Sequence, residues 1–162
     1  MPGDMPGLAA GLRATVRAVV TGADTAEAMG SGNLPVLATP RLLALAEAAT
    51  VAAVAPQLAD GLTTVGTAVS LEHRKASPLG AEIVVEAELT EVDGRRLVFG
   101  FIARPAGTDA DSTDADDTDA DSTDADSTDA DSTDADVVVG AGTVERVVVD
   151  GARFLARLQS NP

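Results

Sequence analysis

Residues 108–136 read TDADSTDADDTDADSTDADSTDADSTDAD, with TDAD recurring six times at a pitch of five. No core can be built from this segment. It carries 13 Asp and no basic residue. Such a composition buries too little apolar area to offset chain entropy, Asp is a poor helix former, and the like charges repel. The tract reads as a disordered, extended loop. Closing a loop costs free energy that grows only logarithmically with length, so the fold tolerates the interruption. The remaining 133 residues suit one domain. The tract also carries the charge: the chain has a formal net charge of −15, but outside the tract 13 acidic residues face 11 basic ones, a net −2. An acidic surface of the halophile kind is therefore not expected. Nucleic acid and anionic membranes are not expected partners either. Clustered Asp is oxygen-rich, as calcium prefers, but no Gly sets a sharp loop and no Glu closes a cage. A solvated spacer is the expectation.

The order of elements follows from periodicity. Residues 12–21, LRATVRAVVT, read as a first strand. In ATPRLLALAEAATVAAVAPQLADG, Thr39 suits an N-cap, Pro40 the first helical position, and Gly61 lies past the end. The helix, about 40–57, is nearly all apolar and should be wrapped on most sides. Four strands follow. In TTVGTAVSLEHRKA the set Val65, Thr67, Val69, Leu71, His73 falls on one face. In AEIVVEAELTEV, Ile83, Val85, Ala87 and Leu89 oppose Glu82, Glu86 and Glu88 with a period of two. The Asp93–Gly94 pair signals a hairpin, RRLVFGFIARP returns, and VVVGAGTVERVVVD is the last strand. GARFLARLQS reads as a short terminal helix. A strand, a long buried helix and four strands in a meander describe an α+β fold of the hotdog type, with the tract inside a hairpin.

The absence of cysteine removes disulfides, thiol nucleophiles and thiolate metal sites, and fits a cytoplasmic setting. The N-terminal MPGDMPGLAAGLR lacks a signal-peptide h-region, and no apolar run is long enough to span a bilayer. With one histidine, a metal site is not expected, and no cofactor is implied. Three polar residues stand out. His73 continues an apolar parity, as a core histidine or a titrating group would. Glu47 is the sole charge between Arg41 and Asp60, and its neighbours Leu43, Ala44, Thr50 and Val51 do not mark a wet face. Thr39 stands at a helix start, where free N–H groups can cap the helix or hold an oxyanion.

The stretches VLATPRLLALAEAA, VGTAVSLEHRKASPLG, VDGRRLVF and GAGTVERVVV resemble the fluoroacetyl-CoA thioesterase-like group of hotdog acyl-CoA thioesterases, over nearly all of residues 10–158 outside the tract. The resemblance implies that Thr39, Glu47 and His73 are catalytic, that Gly66 is a close-approach glycine and that Arg146 is a distal arginine. It further implies an acyl-CoA substrate and a homodimer, or a dimer of dimers, with sites at the dimer interface. The fluoroacetyl-selective pattern has an aromatic lid before the Thr. Here GSGNLPVLAT supplies Asn33, Leu34 and Leu37 instead, with Asn33 and Leu37 expected against the substrate. Val144 also replaces a histidine of that pattern, so another small or medium acyl group is expected. Arg74, Lys75, Arg95, Arg96 and Arg146 are available to meet the CoA phosphates. Thr39 and Glu47 lie about 12 Å apart along a helix, so they share no direct hydrogen bond. Either substrate bridges them or the site draws on two protomers. Two other readings stay open: a hotdog hydratase or dehydratase acting on acyl thioesters, and a non-catalytic acyl-CoA-binding dimer.

Overall fold

The strict alternation of residues 83–89 sets the architecture. The computed structural model describes residues 5–107 and 137–160, so the expected disordered loop over 108–136 lies outside the described residues. Strand β3 (Glu82–Asp93) buries Ile83, Val85, Ala87 and Leu89 and turns its glutamates outward. It pairs with β1 (Arg13–Val19) on one side and with β4 (Arg96–Pro105) on the other. Strand β4 adds Leu97, Phe99, Phe101 and Ala103 to the same buried face. Gly94, with φ of 57°, makes the tight turn between β3 and β4. Strand β5 (Gly140–Asp150) pairs antiparallel with β4.

Strand β2 (Leu62–His73) pairs with β5, giving the sheet order β1-β3-β4-β5-β2. The expected four-strand meander therefore holds only for β3, β4 and β5. The chain between His73 and Glu82 carries it from one edge strand across to β3, next to the other. Helix α1 (Ala26–Met29) is a single turn, and α3 (Gly151–Gln159) is the expected terminal helix. No helix among the described residues is long and apolar enough to cross a membrane.

Helix α2 (Thr39–Val54) lies on the buried face of the sheet, chiefly against β1 and β3. It ends earlier than the apolar run suggests. Pro56 follows and disfavours continued α-helix, so residues 55–57 close as a 3-10 turn. Leu42, Leu45, Ala46, Ala49, Ala53 and Val54 are buried, but Ala44, Ala48, Val51 and Ala52 are exposed. The expectation of a helix wrapped on most sides thus fails along one stripe: five strands in one sheet cover one flank of the helix, not both. An antiparallel sheet packed on one long central helix is the hotdog fold.

Candidate active site

The start of α2 is fixed by Asp24. Its carbonyl accepts the Ala38 N–H at 2.8 Å, and its Oδ1 accepts from Arg41 Nε at 2.8 Å. The Thr21 backbone N–H, which donates to Oδ2 at 2.8 Å, is the main influence holding the Asp24 carboxyl below its usual range; Arg41 adds to it. Ala38, in extended conformation, is the N-cap, and Thr39 is the first helical residue. The expected capping role of Thr39 is therefore corrected. Its hydroxyl is engaged elsewhere: Thr39 Oγ1 lies 2.8 Å from His73 Nδ1.

His73 closes β2, opposite Gly140 of β5. A Cβ at Gly140 would come within 2.8 Å of Leu42 Cδ2 and 2.9 Å of the Glu72 carbonyl, so glycine lets β2, β5 and α2 meet closely beneath the imidazole. His73 is half-buried, and its Nε2 is buried with no hydrogen-bond partner. Burial pushes the imidazole below its usual range, against an opposing pull from the backbone of Lys75.

A second cluster lies further along α2. Arg146 of β5 points to the core face and its side chain is only 7% exposed. Nη1 donates to Glu47 Oε2 at 3.1 Å, Nε to Thr64 Oγ1 at 2.8 Å, and Nη2 to the Thr64 carbonyl at 3.1 Å. The Glu47 side chain, 37% exposed, stands at the border of the bare helix stripe. At Gly66 a Cβ would lie 2.7 Å from Glu47 Oε2.

The structure thus joins Thr39 with His73, and Glu47 with Arg146 and Gly66. It does not bring the two groups into one constellation within the chain, because two turns of α2 separate them. Three expectations change. Arg146 is enclosed and faces a carboxylate, so it does not meet phosphates. Leu37 is a core residue, 3% exposed, because residues 36 and 37 form β-bridges to Pro78 and Thr25; Leu34 is the exposed apolar side chain of that loop, and Asn33 is exposed beside it. Val65 and Thr67 do not share the face of His73, because β2 bulges between Gly66 and Ala68. Thr64 and Asp24 went unnoticed in the sequence. Thr64 stands two residues before Gly66 and so on its face, but a uniform parity assigned that face to the outside.

The bases expected to meet phosphate are spread out: Arg74 pairs with Glu72, and Arg96 with Glu91 and Glu145. A cavity of about 760 Å³ lies at the far end of β2 from His73, between Leu8, Leu62, Val148, Phe154, Arg95 and Arg153. Neither polar cluster opens into it. Both sit instead beside the edge strand β2, whose residues 66–70 are exposed.

Residues 20–109 match the family described as fluoroacetyl-CoA-specific thioesterase. A fluoroacetyl-CoA thioesterase of Streptantibioticus cattleyicolor is 45% identical over 62 residues, which are 38% of this chain and 45% of that protein, so the matched part spans less than half of that relative. A mutant of the fluoroacetyl-CoA-specific thioesterase, solved with acetyl-CoA, aligns with a TM-score of 0.71 and 28% identity over 96% of this chain and 100% of that one. A thioesterase superfamily member from Thermus thermophilus, 21% identical, aligns with a TM-score of 0.69 over 94% of this chain and 91% of that one, and supports the fold alone. With this domain, a Thr–His pair at the helix start and a matched segment covering more than half its length, the chain belongs to the fluoroacetyl-CoA-specific thioesterase family.

Proposed function

We propose that the chain hydrolyses a small or medium acyl-CoA to the free acid and CoA. The observation that carries this reading is the 2.8 Å approach of Thr39 Oγ1 to His73 Nδ1, with Nε2 buried and unpartnered. A histidine held at one nitrogen and unpartnered at the other is oriented for proton transfer. In this mechanism Thr39 and the free N–H groups at the α2 start bind the carbonyl oxygen as charge develops. His73 takes a proton from water and returns one to the departing thiolate. Glu47 supplies the carboxylate. It either attacks the carbonyl carbon, expelling thiolate and leaving an anhydride that water opens, or orients the water itself.

A homodimer belongs to this proposal. Support comes from the exposed middle of edge strand β2, with Val69 49% exposed, and the bare stripe of α2, with Val51 41% exposed. The separation of the two clusters in one chain favours a site that draws on two protomers. Mixing inactive Glu47→Ala and His73→Ala chains restores turnover if each intact site takes one group from each chain.

The test is thiol release from acetyl-, fluoroacetyl-, propionyl-, butyryl-, hexanoyl- and phenylacetyl-CoA. Release from at least one supports hydrolysis and gives the acyl size. Release from none, with hydration of an enoyl-CoA instead, contradicts it.

A further inference from the structure

We infer that Thr64 is a positioning residue that aims Glu47 through Arg146; this role for Glu47 rests on the hydrolase reading above. The Arg146 guanidinium is rigid and planar, with its donors in a fixed fork. Thr64 takes two of them, Nε on its hydroxyl at 2.8 Å and Nη2 on its carbonyl at 3.1 Å. Two bonds to one residue fix the plane of the group, which leaves Nη1 a single direction. In that direction lies Glu47 Oε2, at 3.1 Å.

Burial makes this arrangement demanding. Thr64 is 8% exposed and Arg146 6%, so neither guanidinium edge has water to fall back on. Losing the hydroxyl leaves Nε an unsatisfied buried donor, and the guanidinium must turn to recover a bond. Turning moves Nη1 away from Glu47. The carboxylate then loses its fixed partner while Gly66 still offers it free space. Strand β2 therefore holds both ends of the device: Thr64 grips the arginine, and two residues on, Gly66 makes room for the carboxylate. Thr64 and Glu47 share no hydrogen bond, so any coupling between them runs through Arg146.

Thr64→Val keeps the branched shape and removes the acceptor; Thr64→Ser keeps the acceptor. Two readouts are taken on each, alone and combined with Glu47→Gln. The first, urea unfolding, needs no substrate. The effects of Thr64→Val and Glu47→Gln are expected to be non-additive, because both weaken one chain of bonds, Thr64→Val by removing an acceptor and Glu47→Gln by removing the charge from one; additive effects overturn the inference. The second readout is thiol release. Thr64→Val is expected to lower kcat tenfold or more with KM within threefold, Thr64→Ser to stay within threefold of wild type, and Thr64→Val to add nothing in the Glu47→Gln background. A Thr64→Val kcat within twofold of wild type, or a Thr64→Ser as poor as Thr64→Val, overturns it. Should wild type release no thiol, the hydrolase reading fails and the unfolding cycle alone decides the coupling.

Discussion

Gly66 and His73 face the same side of β2 although seven positions separate them, an odd number that puts residues of a regular strand on opposite faces. The extra residue is Thr67. Gly66 pairs with Arg146 and Ala68 with Glu145, so two steps on β2 match one on β5. The bulge places Gly66 against Glu47 and His73 against Thr39 along one helix.

Deleting Thr67 restores a regular strand and forces a choice between the two faces. If Gly66 keeps its register, Leu71 and His73 turn outward. The expected outcome is loss of turnover of at least 100-fold and a destabilisation of about 2 kcal/mol, in the range for a disrupted core face. Steady-state kinetics and urea unfolding check this. A deletion variant with activity within threefold of wild type contradicts the assigned role of the bulge.

Gly66→Ala tests the close approach. The new methyl meets the tip of a flexible side chain, so Glu47 moves and the fold does not. Thermal unfolding is expected within a few degrees of wild type. A displacement of about 1 Å at a reacting group can cost about 100-fold, so kcat is expected to fall ten- to 100-fold. Unchanged kcat would show that Glu47 has no fixed place in the reaction.

The Glu47–Arg146 pair predicts an asymmetry. Arg146→Ala removes a buried cation with three hydrogen bonds and is expected to cost about 3 kcal/mol, the low end for a broken buried pair, because Glu47 is 37% exposed. Glu47→Gln keeps an acceptor for Nη1 and is expected to cost about 1 kcal/mol. Chemical denaturation of both variants measures this, and an equal cost for the two contradicts it.

The fold was legible because β3 alternates cleanly through Ile83, Val85, Ala87 and Leu89, and because Pro40 and Gly61 bracket one long apolar helix. The site was legible less evenly. Thr39, Glu47, Gly66 and His73 all fall at the two clusters, but their grouping did not show. A bulge changes parity without a residue type of its own, so a uniform alternation puts Thr64 and Val65 each on the wrong face. The place of β2 beside β5 depends on pairing across 67 to 88 residues, which local pattern does not encode. Leu37 looked like a lid residue because its burial comes from bridges to Thr25 and from Val36 to Pro78, contacts outside its own segment.

His73 predicts a pH dependence of definite sign. Burial holds the folded imidazole below its ordinary value near ~6.5. Between the folded value and ~6.5 the unfolded chain binds more protons, so stability rises with pH there. The contribution is present above ~6.5 and is lost as pH falls through the folded value. Urea unfolding of wild type is expected to weaken in that window more steeply than that of His73→Gln. The acid limb of kcat/KM is expected below pH 6.5 for the same reason. An acid limb at or above that value contradicts the assignment.

The most direct measurement compares wild type with His73→Ala on the best acyl-CoA substrate, with circular dichroism and oligomer mass recorded on both. A loss of kcat of at least 100-fold is expected in a variant that stays folded with wild-type mass. Turnover near that of wild type in the folded variant would contradict a catalytic role for His73 and return the lone histidine to the core.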